Sequence, residues 1–320
     1  MTASRRSGII PVLVVSVLLF LPSSSFANWS PLIARLVADG FDESDVQALF
    51  SRPEVKFDAI TMITKLEELM KWAHKKSGGP PSYNPNAVYK GFLSERVIAR
   101  ARAYVQENTE ILETISSRYC VPREIIVSIL LVETRLGDFL GGRGAFNSLA
   151  GMALCTDIET VRSYLPKKLV RPDNEDVART ICRQKSEWAY TELKALMLYS
   201  SWSGLDPLSL PGSIYGAIGL CQFMPSSVLA FAVDADQDGR IDLFAKADAL
   251  ASIANYLREH GWTGTLDKPG QFRAILAYNR SSVYANTVLA VAEKLKDEPR
   301  DKAKGKNVKG RKPVLAKAKG

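Results

Sequence analysis

The sequence predicts a mainly α protein, and three observations carry that expectation. Apolar residues recur at the three-and-four spacing of helices in most segments. Few runs alternate apolar and polar residues as a half-buried strand does. Turn-forming residues such as Gly40 and Pro53 fall between the periodic pieces. The hydrophobic share of 46% suits a chain that buries a core, and no internal repeat is present.

In order along the chain, Leu32, Ile33, Leu36 and Val37 predict a first helix. Val46, Leu49 and Phe50 predict a second, and Ile60, Ile63, Leu66 and Leu69 a third. The run Gly78-Gly79-Pro80-Pro81-Ser82-Tyr83-Asn84-Pro85 reads as a linker or long loop, which puts a subdomain boundary near 80–90. One long amphipathic helix is then expected through Val97, Ile98, Ala101, Tyr104, Val105, Ile111, Leu112 and Ile115. Pro122 opens the next, with Glu124 in its first turn and Ile125, Ile126, Ile129, Leu130 and Glu133 on one face. Further helices are expected over 187–198, 248–260 and 271–294.

Both ends are compositionally distinct. Arg5 and Arg6, an apolar run of 13 residues from Ile9 to Leu21, and Ser25-Phe26-Ala27 have the order of an export signal over 1–27. That run is short of the roughly 20 residues that span a bilayer, so no transmembrane segment is expected and the mature chain should be periplasmic. No cysteine precedes Cys120, which argues against a lipid anchor. At the other end, residues 299–320 carry nine Lys or Arg against Asp301 alone and should be a disordered, solvated tail. With the leader's two arginines, the tail accounts for more than the whole net charge of +8 and leaves 28–298 at −2. A nucleic-acid-binding face is therefore excluded, and the tail offers at most loose electrostatic contact with an anionic wall or membrane surface.

Cys120, Cys155, Cys182 and Cys221 are even in number, and in an oxidising compartment three pairings are open. A bridge from Cys155 to Cys182, closing the polar segment between them, is preferred, and Cys120 and Cys221 could equally be buried thiols. No CxxC occurs and His74 and His260 are the only histidines, so a zinc site is not expected.

Glu133 is the informative carboxylate. It shares the face that should enter the core, where desolvation raises a carboxyl pKa toward the range useful for donating a proton near neutrality. Periodicity alone favours a plainer reading, an ion pair with Arg135 or another cation at the helix edge.

Three ordered motifs favour chemistry. Val121-Pro122-Arg123-Glu124-Ile125-Ile126 followed by Val132-Glu133-Thr134-Arg135-Leu136-Gly137 resembles the catalytic helix of lytic murein transglycosylases of the B type, members of the lysozyme-like superfamily. The segment from Gly212-Ser213-Ile214-Tyr215-Gly216 through Gly219-Leu220-Cys221-Gln222-Phe223-Met224-Pro225 is similar to that family's substrate groove, and Ala277-Tyr278-Asn279 to the short motif after it. The likeness covers roughly residues 30 to 295.

The resemblance implies a lysozyme-like catalytic domain over 91–298 behind an N-terminal helical subdomain over 28–90. It implies an enzyme that cleaves the β-1,4 bond between N-acetylmuramic acid and N-acetylglucosamine in peptidoglycan and leaves a 1,6-anhydromuramic acid end. Glu133 is the implied catalytic acid and base. Ser213 and Gln222 are implied to bind the sugar or its acetamido group, and Tyr278 and Asn279 to flank the glutamate. No cofactor is required. Leu136 stands where relatives often carry an aromatic residue. Arg183 and Lys185 only approximate the relatives' peptide-stem contacts, so that role is not transferred. A muramidase acting on the same bond with water and a catalytically silent peptidoglycan-binding protein are the alternatives. The motifs place no second carboxylate beside Glu133, which favours the lyase over a two-carboxylate hydrolase.

One further motif stands apart. Asp234-Ala235-Asp236-Gln237-Asp238-Gly239 has the alternate carboxylates and sixth-position glycine of a calcium loop, with Asp234, Asp236 and Asp238 as ligands, but Ala245 holds the twelfth position. Weak structural calcium or a plain Asp-Gly turn is expected, and Asp248 is expected to cap the following helix.

Overall fold

A computed structural model describes residues 28–75 and 84–296. The expected export signal and basic tail lie outside the described residues. Among those described, the protein is built of twelve α-helices with very little strand. None of the helices is long and apolar enough to cross a membrane.

The first three helices, α1 (Ser30–Ala38), α2 (Glu43–Phe50) and α3 (Ile60–Lys75), form where periodicity put them. Asp42 caps α2 by accepting from the Asp45 N–H at 3.0 Å. These helices do not enclose a core of their own. Leu36, Phe50, Met62 and Leu66 belong to one continuous buried cluster that reaches Ala292, and α3 packs on α7 (Ala145–Leu154) and α8 (Glu175–Ser203).

Two expected single helices are each broken in two. The amphipathic run over 97–115 divides into α4 (Glu95–Glu107) and α5 (Thr109–Tyr119). At the junction, the buried Asn108 amide donates to the Tyr104 carbonyl at 2.8 Å, and the Thr109 hydroxyl bonds the Val105 and Gln106 carbonyls. Short polar side chains thus compete for the backbone groups that would continue the helix. The expected 271–294 helix is α11 (Lys268–Tyr278) followed by α12 (Ser282–Lys296). The corner between them closes with the Ser281 N–H donating to the Asn279 carbonyl at 2.7 Å.

Helix α8 runs 29 residues, well beyond the apolar stretch over 187–198. Its polar first turns are held by surface ion pairs, Arg179 with Asp157 at 2.7 Å and Arg162 with Glu175 at 2.7 Å. It ends at Gly204, whose φ of +66° suits glycine.

Helix α6 (Arg123–Thr134) is the central element, packed by α4, α5, α12 and α10 (Lys246–Glu259). Every side chain from Ile125 to Leu131 is buried, so α6 has no solvent face along that run. Beyond it, β1 (Arg143–Gly144) pairs antiparallel with β2 (Pro211–Gly212), setting Arg143 opposite Gly212.

All four cysteines are free thiols, which corrects the preferred bridge. Cys155 and Cys182 are buried and close enough to interact electrostatically. The Cys155 thiol instead turns onto its own helix, donating to the Gly151 carbonyl at 3.2 Å.

Candidate active site

Glu133 lies in the last turn of α6, partly open to solvent. Its Oε1 accepts a 2.7 Å hydrogen bond from the hydroxyl of Tyr284, in the first turn of α12. Burial of the carboxyl pushes its pKa up to about 7, and the tyrosine bond offsets part of that rise. No carboxylate and no cation among the described residues perturbs it. The sequence-based alternative of an ion pair with Arg135 is therefore not found. Arg135 adopts a left-handed conformation, φ 54°, after the last turn and stands among exposed charges.

Tyr284 leads to the remaining site residues. Its ring stacks nearly parallel to that of Tyr278, 7° between planes with centroids 6.3 Å apart. The Tyr278 hydroxyl is enclosed and donates to the Cys221 carbonyl at 2.6 Å. Burial, with Cys221, Tyr284 and Glu133 nearby, holds the Tyr278 phenol well above its ordinary pKa. Phe223 and Tyr256 complete the aromatic cluster, at 5.7 and 4.9 Å from Tyr278. Tyr278, at the end of α11, is half-buried, and through its hydroxyl and its ring it braces the 212–225 segment against Tyr284 of α12.

The 212–225 segment is a tight double turn. Ile218 bridges both Gly212 and Phe223, and the Ser213 hydroxyl accepts from the Tyr215 and Ala217 N–H groups at 3.2 and 3.0 Å. Gln222 is left-handed, φ 50°, and its amide donates to the Gly219 and Leu140 carbonyls at 3.0 and 3.3 Å. Gly219 is required here. Its φ is +75°, and a Cβ would lie 2.5 Å from that of Leu243. Thr134, next to Glu133, donates to the Leu220 carbonyl at 3.0 Å and so locks α6 to this segment.

The structure therefore links Glu133 to Tyr284, Tyr284 to Tyr278, and Tyr278 to the Cys221 carbonyl. Ser213 serves first as the hinge of its own turn. Asn279 is exposed at the α11–α12 corner, where its N–H closes the last turn on the Ile275 carbonyl at 3.2 Å. Tyr284 is the residue that the sequence reading missed. Its only signal was an aromatic residue six positions after Tyr278, across an unrecognised helix break. Tyr215 was read only as part of a motif, yet its hydroxyl donates to Glu68 of α3 at 2.8 Å and Lys65 sits 3.7 Å over its ring, so the N-terminal helices buttress the groove segment.

The calcium-like loop differs from expectation. One carboxylate oxygen each from Asp234, Asp236 and Asp248 lie within 4.8 Å of one another, and Asp238 is not in the group. Asp238 instead accepts from the Arg240 N–H at 2.8 Å. Asp248 does not cap its own helix but stitches the loop, accepting from the Ala235 and Asp242 N–H groups at 2.8 and 2.7 Å. Burial raises its pKa, and the neighbouring Asp236 and Asp234 add to the rise.

Comparison with known proteins agrees with this architecture. Solved structures similar in fold include the Escherichia coli lytic transglycosylase Slt35 in complex with calcium, with a TM-score of 0.61, 23% identity, and coverage of 85% of this chain and 93% of that one. Another is SltB3 from Pseudomonas aeruginosa in complex with NAG-NAM-pentapeptide, with a TM-score of 0.61, 23% identity, and coverage of 86% and 80%. In sequence, the chain is 31% identical over 227 residues to membrane-bound lytic murein transglycosylase B of Escherichia coli strain K12. The match takes in 70% of this chain, and the chain spans about half, 54%, of that relative's length. The model of the transglycosylase SLT domain matches residues 25–268, and the chain belongs to that family.

Proposed function

We propose that the protein is a peptidoglycan lytic transglycosylase, cleaving the β-1,4 bond between N-acetylmuramic acid and N-acetylglucosamine. The observation that carries this reading is one lone carboxyl, Glu133, whose pKa burial pushes up to about 7 and which has no carboxylate partner. A group poised there can give a proton and take one back at neutral pH. Tyr284 fixes Oε1 and leaves Oε2 to address the substrate. Protonated Glu133 donates to the glycosidic oxygen as the bond to C1 of muramic acid breaks. The resulting carboxylate then takes the proton of the sugar's own C6 hydroxyl, whose oxygen bonds C1 and closes the 1,6-anhydro ring. No water is consumed, so no second carboxylate is needed to activate one. Ser213, Gln222 and Asn279 are proposed to hold the sugars along the 212–225 segment and the α11–α12 corner.

The test is mass analysis of purified glycan strands after incubation with the protein. Anhydromuramic ends support the lyase. Reducing muramic ends would make it a muramidase, and binding without any product would make it a wall-binding protein.

Such a substrate lies outside the cytoplasmic membrane, and with the export-type sequence at 1–27 this supports a periplasmic location. The basic stretch over 299–320 is proposed to add loose attraction to anionic wall or membrane surface. Unchanged retention on sacculi at low salt after its deletion would rule that out. For the 234–242 loop we propose weak structural calcium, with Asp248 standing in for the missing twelfth carboxylate. Three carboxylates drawn together from loop and helix repel one another unless a cation or proton intervenes.

A further inference from the structure

Between α1 and the end of α7 lies a cavity of about 360 Å³ that the proposed chemistry does not use, a volume in the range of small-ligand sites. Leu32 of α1 and Ala153 and Leu154 of α7 give it apolar walls. Phe57 and Tyr164 line it with their rings 6.2 Å apart, and Tyr164 is 54% exposed. Both rings are held from behind. Trp29 meets Phe57 edge-on at 6.3 Å, and Tyr164 closes a 3₁₀ turn in which its N–H donates to the Val161 carbonyl at 2.9 Å.

The polar groups of the cavity are neutral and unspent. No carboxylate lines it, and its one cation, Arg35, is engaged by both Glu187 oxygens and lies 3.6 Å over the Tyr190 ring. The hydroxyls of Thr156 and Thr160 make no hydrogen bond among the described residues. Asn28 uses only its amide oxygen, which accepts from the Ser30 N–H at 3.1 Å. A charged ligand would find no opposite charge here. A pyranose finds both of its needs, since its C–H face packs on an aromatic ring while its hydroxyls bond to neutral donors and acceptors. An acetamido methyl would meet the apolar wall.

The position of the cavity ties it to the groove segment. Helix α7 starts there, with the Ala145 N–H donating to the Leu210 carbonyl at 3.0 Å and a Cβ on Gly212 falling 3.0 Å from that of Ala145. Its ten residues end at the cavity, about 15 Å further along the helix axis. On the surface, Asp58 continues the link, because it follows Phe57 and pairs with Arg143 of β1. That separation is a few sugar rings of an extended glycan.

We infer that this cavity is a second saccharide site, taking an N-acetylated sugar of murein away from the scissile bond. The identity of the polymer rests on the proposed activity, whereas the saccharide chemistry rests on the cavity alone. A sugar held here anchors the strand while Glu133 acts on another part of it.

Two measurements test this. In the first, chitotriose, a neutral trimer of N-acetylglucosamine, is titrated into Glu133→Gln protein and followed by NMR. Saturable shifts should appear over 153–164. Tyr164→Ala should weaken binding there about fivefold, the scale of one aromatic contact, and Tyr164→Phe should retain it. Thr160→Val, which keeps the side chain's shape, should weaken it too. The absence of shifts over 153–164, or parental affinity there in both Tyr164→Ala and Thr160→Val, overturns the inference. In the second, KM is measured on short and long glycan chains stripped of peptide. The ratio of KM on short chains to KM on long ones should fall about fivefold in Tyr164→Ala if one strand fills both sites. An unchanged ratio with weaker retention on sacculi assigns the cavity to a neighbouring strand, and neither effect overturns the inference. If the parent protein yields no anhydro product, the proposed activity fails, while the chitotriose titration still decides the fate of the cavity.

Discussion

Tyr284 donates to Oε1 of Glu133 at 2.7 Å across 151 positions of chain, and this one bond both orients the carboxyl and restrains its pKa. The phenol is itself held far above its ordinary pKa by burial and by the neighbouring carboxylate, so it remains a donor throughout the working range.

Tyr284→Phe should therefore shift a pH profile as well as lower a rate. The tyrosine bond lowers the Glu133 pKa, so its loss raises that pKa further above about 7. Because the protonated form starts the reaction, the alkaline limb of kcat/KM should move to higher pH. Turnover should fall by about tenfold from lost orientation, the scale of one hydrogen bond of about 1.4 kcal/mol. A lower rate with an unmoved alkaline limb would show that Tyr284 serves packing only.

Glu133→Gln should abolish turnover, since two proton transfers are lost and each is worth about 10² to 10⁴. Stability should move the other way. A carboxyl whose folded pKa lies above its unfolded value of 4.5 costs nothing below pH 4.5 and most above pH 7. The variant should therefore gain on the order of 1–3 kcal/mol over the parent at pH 8, with the gain vanishing by pH 4. Melting curves at both pH values check this, and a loss at pH 8 would mean that Glu133 has a structural partner.

Calcium should raise the melting temperature modestly, and the rise should disappear in Asp236→Asn and Asp248→Asn but persist in Asp238→Asn. That pattern separates the observed trio, Asp234, Asp236 and Asp248, from the sequence-based trio ending in Asp238. A shift lost in Asp236→Asn and Asp238→Asn but kept in Asp248→Asn would instead favour the sequence-based trio.

A thiol reagent should modify one cysteine in the native protein and four after denaturation. Cys120 is exposed, whereas Cys155, Cys182 and Cys221 are buried, and burial raises the pKa of each of those three thiols. Two reactive thiols after denaturation without reductant would reveal a bridge.

Much of this architecture was legible in the sequence, but unevenly. Glu133 stood out through the motifs around it. Its apolar face was weaker support than it looked, because α6 is buried on every side from Ile125 to Leu131. Helix α7 has no periodic stripe to detect, because Ala145–Leu154 is buried on nearly every side and polar only at Asn147 and Ser148. The breaks at Asn108 and at 279–281 were invisible because apolar spacing continues across a gap of one to three residues. Asp248 was read as a local cap because it lies in the first turn of α10, yet its partners are Ala235 and Asp242. Periodicity reports which residues face inward, not which distant residue they meet.

The corner at Asn279, Arg280 and Ser281 makes spacing itself a functional quantity. In an unbroken helix, six residues turn through about 600°, which would point Tyr278 and Tyr284 roughly 120° apart. The corner cancels that rotation and lets the two rings stack 7° from parallel. A single residue inserted between Arg280 and Ser281 would turn Tyr284 away from Glu133 while leaving every active-site side chain in the sequence.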